Sequence, residues 1–120
     1  MLSWKLLGGG FGGLPLASFQ DTLTGLTATG TNQATALECT AWKSSFSTVA
    51  AGTGAICSSK AGTGDSQIIF NGGANMLSLY PPSGAHFGQL GANAAILVPL
   101  NTAIEVHCMS ATLWVGMLSR

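Results

Sequence analysis

Short runs rich in apolar and β-branched residues dominate the chain from about residue 21 onward, and Gly, Asn and Pro separate them. Alternation with a period of two is typical of half-buried β-strands, and Thr, Val, Ile, Phe, Tyr and Trp are enriched inside the runs. The runs lie at 22–28, 34–42, 46–50, 55–57, 66–70, 75–80, 94–100, 103–110 and 113–118. Since no long window keeps a helical period, the pattern predicts an all-β fold, an antiparallel, jelly-roll-like β-sandwich.

The run at 103–110 shows the alternation most clearly. We expect Ile104, Val106 and Cys108 to face the core. The alternate residues, Glu105, His107 and Met109, would then face solvent or a partner. Pro99 lacks a backbone N–H, which places the preceding run at a sheet edge or a bulge. The short connection at 100–103 predicts a hairpin in which Asn101 takes a positive φ.

The segment NGGANMLSLYPP at 71–82 raises the question of whether its Gly and Asn residues hold a ligand or turn the chain. We interpret Asn71, Gly72, Gly73 and Asn75 as a tight turn that needs positive φ. The apolar run MLSLY then forms a strand, which the two prolines that follow it end.

Residues 1–20 differ from the rest of the chain, because their glycines break every apolar run. They predict an extended Gly-rich N-terminal arm, followed by a single β-sandwich domain at 21–120. The arm carries large apolar side chains that would anchor it on a neighbouring molecule or on its own domain, namely Trp4, Leu6, Leu7 and Phe11. Its GxGxxG spacing is followed by Leu14 and Pro15 rather than a helix, so no dinucleotide cofactor is expected.

The composition narrows the class of partner. Asp, Glu, Lys and Arg make up 7% of the residues, against about 25% in an ordinary soluble protein. The formal net charge is zero and the cations are scattered, so a nucleic-acid partner is not expected. No apolar run is long enough for a transmembrane helix, and no membrane partner is expected. A weakly charged surface favours a protein that is partly covered in an assembly.

The residue pattern gives little support for catalysis or metal binding. We expect that the protein is not an enzyme and that it has no catalytic residue, no metal and no cofactor. Glu105 and His107 share one strand face, but a zinc site needs three or four ligands. Cys108 points to the face opposite His107, which excludes a thiolate–imidazole pair. The three cysteines form no CxxC motif and predict buried free thiols. Tyr80, at a strand end before Pro81, is the candidate exposed recognition aromatic.

Three segments resemble a known class of protein: TGTNQATAL at 29–37, AAGTGAI at 50–56 and the long stretch from FNGGAN to LWVG at 70–116. The resemblance is to small virion structural proteins of tailed bacteriophages, of the head-decoration or cement type. The matching positions are Asn71, Gly73, Ala74, Asn75, Tyr80, Pro81, Gly84, Asn93, Ala94, Ala95 and Trp114. The arm lies outside the match.

The resemblance implies an all-β fold and a mechanical role, and it transfers no catalytic residue. It predicts a protein that binds across major capsid protein subunits as a homodimer or homotrimer and stabilises the head. It places the chain on the outer surface of the capsid, after synthesis in the host cytoplasm. The alternative hypothesis is a receptor- or glycan-binding module on the capsid exterior or on a tail fibre.

Overall fold

The computed structural model describes residues 20–119, and these residues form ten strands and one short 3-10 turn, Gln33–Thr35. The strands are β1 Gln20–Thr27, β2 Leu37–Glu38, β3 Ala41–Thr48, β4 Gly54–Ile56, β5 Ser66–Asn71, β6 Leu77–Tyr80, β7 His86–Phe87, β8 Ile96–Val98, β9 Thr102–Cys108 and β10 Leu113–Ser119. The fold is therefore all-β, as the alternation predicts. The predicted arm anchors Trp4, Leu6, Leu7 and Phe11 lie outside the described residues.

The strands form two sheets, between which the chain alternates. Sheet 1 has six strands in the order β1-β3-β5-β9-β10-β7, and sheet 2 has four in the order β2-β4-β6-β8. From β1 to β9 each strand lies in the opposite sheet from the one before it. The chain therefore coils around a core between the sheets. Strands two apart in the chain become neighbours from β1 to β5 in sheet 1 and from β2 to β8 in sheet 2.

The antiparallel jelly-roll arrangement predicted from the sequence is wrong. β1 pairs with β3 and β3 with β5 in parallel, and β2, β4 and β6 do the same in sheet 2. Three successive coils thus stack in the manner of a β-solenoid. Sequence alternation could not reveal this, because side chains alternate with a period of two in both kinds of ladder. The direction of pairing depends on whether a connection turns back within its sheet or crosses to the other one.

The chain reverses after the third coil. β8 pairs antiparallel with β6, and β9 pairs antiparallel with β5, so this last coil runs against the first three. Asn101 takes a φ of 56°, as expected. The predicted hairpin at 100–103 is nevertheless wrong, because this connection joins sheet 2 to sheet 1. The antiparallel pair joined by a short turn is instead β9 and β10.

The predicted run at 34–42 is divided in the structure. Its first part lies in the 3-10 turn, where the Asn32 side chain accepts a hydrogen bond from the Thr35 N–H at 3.1 Å. β2 follows, and the chain turns at residues 39 and 40 to enter β3, which also takes in the start of the predicted run at 46–50. The short strand β7 carries no alternation long enough to be predicted.

Alternate positions of both sheets meet in the core. The largest fully buried apolar side chains are Trp114, Phe46, Ile69, Leu77, Leu79, Val98 and Val106. On β9 the predicted faces are confirmed, since Ile104 and Cys108 are buried beside Val106 while Glu105 and His107 are partly exposed. Pro99 directly follows β8, which is an edge strand of sheet 2, as Pro at that position predicts.

A buried amide lies at each end of β5, on the side facing the core. At the first end, Gln67 donates from Nε2 to the backbone oxygens of Cys39 at 3.0 Å and Ala41 at 2.8 Å. Its Oε1 accepts from the Ser58 N–H at 2.9 Å. One side chain thus satisfies backbone groups at two corners where the chain passes between sheets, and such groups are costly to bury unpaired.

Asn71 does the same at the other end of β5. Its Nδ2 donates to the backbone oxygens of Asn75 and Val98, both at 2.9 Å, and its Oδ1 accepts from the Gly73 N–H at 2.9 Å. The Asn71 side chain thus belongs to the interior rather than to a ligand loop, whereas Gly72 after it is exposed. Asn71 links the corner after β5 to the end of β8.

The glycines of this corner are required for a reason other than the predicted one. Asn71, Gly72, Gly73 and Asn75 do not take positive φ. A Cβ added to Gly73 would instead lie 2.7 Å from the backbone nitrogen of Val49, so the close approach of two chain segments excludes a side chain there.

Candidate interaction surface

One face of sheet 1 points away from the core, and we call it the outer face of sheet 1. It comprises Lys43 and Ser45 of β3, Ser66, Ile68 and Phe70 of β5, Ala103, Glu105 and His107 of β9, and Val115 and Met117 of β10. These positions alternate along their strands with residues that point inward. Four strands contribute to this face, and Thr22 of the edge strand β1 continues it beyond Lys43.

A single row of side chains crosses this face. Strand register places Thr22 beside Lys43, Lys43 beside Ile68, Ile68 beside Glu105, and Glu105 beside Met117. Neighbouring strands are about 4.8 Å apart. The basic and acidic side chains of the row therefore lie on opposite sides of Ile68 and about two strand spacings apart.

Much of the outer face is apolar and accessible. Met117 is 58% exposed and Ile68 is 36% exposed. Phe70 and Val115 are partly exposed. Large apolar groups brought together on one face of a sheet are a mark of an interaction surface, whereas single scattered ones are not.

Glu105 and His107 lie close together on this face, as the alternation predicts. Glu105 Oε2 is 3.4 Å from His107 Nε2, and both side chains are partly exposed. Across residues 20–119, no cluster of three or more His, Cys, Asp or Glu side chains is arranged to hold a metal ion. The geometry makes this pair a polar spot within an apolar surface.

Two further carboxylates bind backbone or hydroxyl groups of the loops. Glu38 Oε2 accepts from both the N–H and the hydroxyl of Ser59, each at 2.9 Å. Asp65 Oδ2 accepts from the Gly62 N–H at 2.8 Å and so closes the turn at residues 62–65. Both contacts hold connections in place. Whether the chain lacks catalytic activity stays a prediction.

The thiols of Cys39, Cys57 and Cys108 are free and buried, in agreement with the sequence interpretation. Burial raises the pKa of Cys39 to about 12, and burial also raises the pKa of Cys57 and of Cys108. Cys57 and Cys108 therefore also keep their protons above the ordinary thiol range. Because the thiolate is the nucleophile, these groups are inert while the fold is intact.

We expect the native protein to leave its thiols unmodified by a maleimide or a disulfide reagent at about pH 8, and to react at all three in concentrated guanidinium chloride. Because these pKa values are raised in the folded state, the folded protein keeps thiol protons that the unfolded chain releases. The free energy of unfolding should therefore fall as pH rises above the ordinary thiol pKa of 9.0. Thiol titration and unfolding at several pH values measure both effects. Fast reaction of the native protein would contradict the buried placement.

Tyr80 lies on the outward side of β6 and is partly exposed. Its ring covers Gly54, since a Cβ added there would be 2.9 Å from Tyr80 Cε2. Its hydroxyl is 3.4 Å from the Thr31 carbonyl oxygen, a long hydrogen bond. The ring thus rests on the sheet, and the glycan-binding hypothesis stays a prediction.

Other exposed apolar side chains lie at the margins of the sheets. Leu97 on the edge strand β8 is 53% exposed. Leu118 is 49% exposed although its partner Ile104 is buried. The last four residues of β10, Gly116 to Ser119, are all exposed.

The row across the outer face was not found by sequence reasoning, because its members come from five strands far apart in the chain. Ile68 and Met117 are apolar residues of strand-like runs, but nothing in those runs marks them as outward. The strand register that aligns them is a tertiary property.

Among the described residues, no helix is both long and apolar enough to span a membrane. No protein family, no curated protein and no solved structure matches the chain.

Proposed function

We propose that the chain is a phage virion structural protein of the decoration type, which binds across neighbouring major capsid protein subunits and stabilises the head. The observation that carries the proposal is an all-β domain with accessible apolar side chains and few charges on its surface. The resemblance of residues 29–116 to small virion proteins supplies the class of assembly. The proposed role is mechanical and uses no catalytic residue.

The chemistry of the surface suits this role. Ser, Thr and small apolar side chains lose water on assembly without leaving buried charges unpaired, which would be costly. A specific contact buries about 800 Å² on each partner. Contacts of modest affinity, repeated over many symmetric copies, make a stable shell through avidity.

The fold suits the role as well, because its corners are held by buried hydrogen bonds. Gln67 and Asn71 satisfy backbone groups on both sides of the core. A rigid body loses little conformational entropy when it binds, so more of the contact energy remains for stabilising the shell.

The arm is the proposed attachment segment on the capsid or a sister subunit, through Trp4, Leu6, Leu7 and Phe11. Gln20 begins β1, an edge strand of sheet 1, so residues 1–19 join the domain at that edge. Large apolar and aromatic side chains are the usual energetic centres of interfaces.

Particles assembled with a version lacking residues 1–14 are expected to carry fewer copies of the protein. They should also open at lower temperature or under milder osmotic shock, because the anchoring side chains are gone. Quantitative gel analysis of purified particles and a thermal release assay measure the two effects. A full-length variant with serine at all four anchor positions separates the role of the side chains from that of arm length. Unchanged occupancy and stability in both variants would show that the arm is not the anchor.

A cryo-electron microscopy map of the particle tests the location itself. Density for this fold at junctions between capsid subunits, in a copy number set by the symmetry of the shell, is the expected result. Density on the tail alone would refute a head-stabilising role and favour the receptor-binding alternative.

A further inference from the structure

The row across the outer face of sheet 1 has a charge order that is complementary to itself. Lys43 and Glu105 lie on either side of Ile68, one strand away in each direction. We propose that a second copy of this chain packs on the outer face of sheet 1, related by a two-fold axis that runs along β5. This inference rests on the proposed function only in taking the chain to be an assembly protein, and it names the surface through which copies meet.

The symmetry argument is geometric. A two-fold axis in the interface and along β5 exchanges the two sides of that strand. Lys43 of one copy then faces Glu105 of the other, and the reciprocal pair forms as well. Ile68 lies on the axis and meets its own counterpart. Dimer interfaces of this kind use the same patch on both copies, which must therefore be self-complementary.

The charge order also excludes the other simple arrangement. A two-fold axis across the strands would leave each strand facing its own copy. Lys43 would then face Lys43, and Glu105 would face Glu105. Like charges brought together across an interface cost several kilocalories per mole and act against that register. The row therefore selects the axis along β5.

The rest of the face agrees with this axis. Phe70 lies on β5 and meets its counterpart, as Ile68 does. The register places Ser45 and Ala103 on opposite sides of Phe70, so two small residues face each other. At the ends of the row, the exposed Met117 faces Thr22. Two sheets in aligned packing keep their strands within about 30° of each other, which an axis near β5 satisfies.

The titratable and charged side chains on the face are Lys43, Glu105 and His107. The His107 contact uses Oε2 of Glu105 at 3.4 Å. Oε1 of the same carboxylate is left for the lysine of the second copy. In this arrangement Lys43 and Glu105 each have a partner of opposite charge.

Reversing one charge at a time tests the proposal. Lys43→Glu gives each copy two acidic groups at these positions, and Glu105→Lys gives each copy two basic ones. Each variant alone should weaken dimerisation on the order of tenfold or more. An equimolar mixture of the two variants should form dimers again, because every charge then meets its opposite. Sedimentation velocity over a roughly hundredfold range of concentration measures all of these states.

Matched variants complete the test. Lys60→Glu reverses an exposed charge outside the face and should leave the dimer unchanged. Circular dichroism and thermal unfolding of each variant confirm that loss of the dimer is not loss of the fold.

The inference would be overturned by a wild-type monomer at every concentration, by single variants that still form dimers, by a mixture that stays monomeric, or by a trimer. Dimers that appear only after residues 1–19 are removed would show that the arm of the same chain covers the face, and would overturn it too. A monomer that still occupies capsids would remove the inference and leave the proposed function standing. A dimer that never binds particles would refute the proposed function and leave the inference standing.

Discussion

Replacing Asn71 with leucine is expected to lower the free energy of unfolding by about 3–5 kcal/mol. Leucine has the same branched shape and the same number of side-chain heavy atoms, but its methyl groups are larger than the amide atoms, so overpacking adds to the loss. The change removes both donors and the acceptor of a fully buried side chain. It leaves the backbone oxygens of Asn75 and Val98 and the N–H of Gly73 without their partners. Each such group costs about 1–3 kcal/mol when it is buried and unpaired.

Urea unfolding followed by tryptophan fluorescence or circular dichroism measures this loss. The same substitution at Asn32, an exposed residue that caps the 3-10 turn, is the matched control. Loss of a cap costs about 1 kcal/mol. Equal losses at the two positions would contradict the proposed role of Asn71 at the corner.

Asn71→Asp separates the donor from the acceptor. The new carboxyl group would be buried, and burial raises the pKa of a carboxyl group. The unfolded chain then releases this proton at lower pH than the folded one. Stability of the variant should therefore be highest below the ordinary Asp pKa of about 3.9 and should fall as pH rises above it. A variant whose stability is independent of pH in this range would mean that the site is open to water.

Trp114→Ala is expected to lower the free energy of unfolding by about 3–5 kcal/mol. Trp114 is 1% exposed and lies on β10 beside Cys108 of β9 and Phe87 of β7. Its removal takes away apolar contacts with both neighbours and leaves a cavity at the end of the core. Since a domain of this size is stable by roughly 5–15 kcal/mol, the variant is expected to be marginal at physiological temperature.

Met109→Ala is the matched control for this change. Met109 lies in the connection between β9 and β10, and its side chain is 54% exposed. Its backbone hydrogen bond to Leu113 does not depend on the side chain. The expected change is within about 0.5 kcal/mol. Comparable losses for the two variants would mean that β10 contributes to stability through its backbone rather than through the tryptophan.

The strands with the longest clean alternation were predicted closely. The predicted runs at 66–70, 103–110 and 113–118 correspond to β5, β9 and β10 within about two residues at either end. The faces of β9 were also predicted, because a period of two divides any strand into a buried and an exposed set. Where a run was long but irregular, as at 34–42, the structure divides it at a corner.

The candidate surface was predictable only in part. The sharing of one face by Glu105 and His107 follows from their spacing. The roles of Gln67 and Asn71 could not be predicted, because their partners lie in other strands and corners. A buried amide in a strand resembles any polar residue until its neighbours are known.

By itself, the sequence determined that the chain is built of strands, where most of them lie and which side of the clearest ones enters the core. These properties are local, since they follow from residue type and from alternation along a single strand. The tertiary structure decided which strands are neighbours, that the first coils pair in parallel, and that Lys43, Ile68 and Glu105 form one row. The physical reason is that backbone hydrogen bonds are the same for every residue. A strand can pair with any other, and the corners and the packing of the core select the partner.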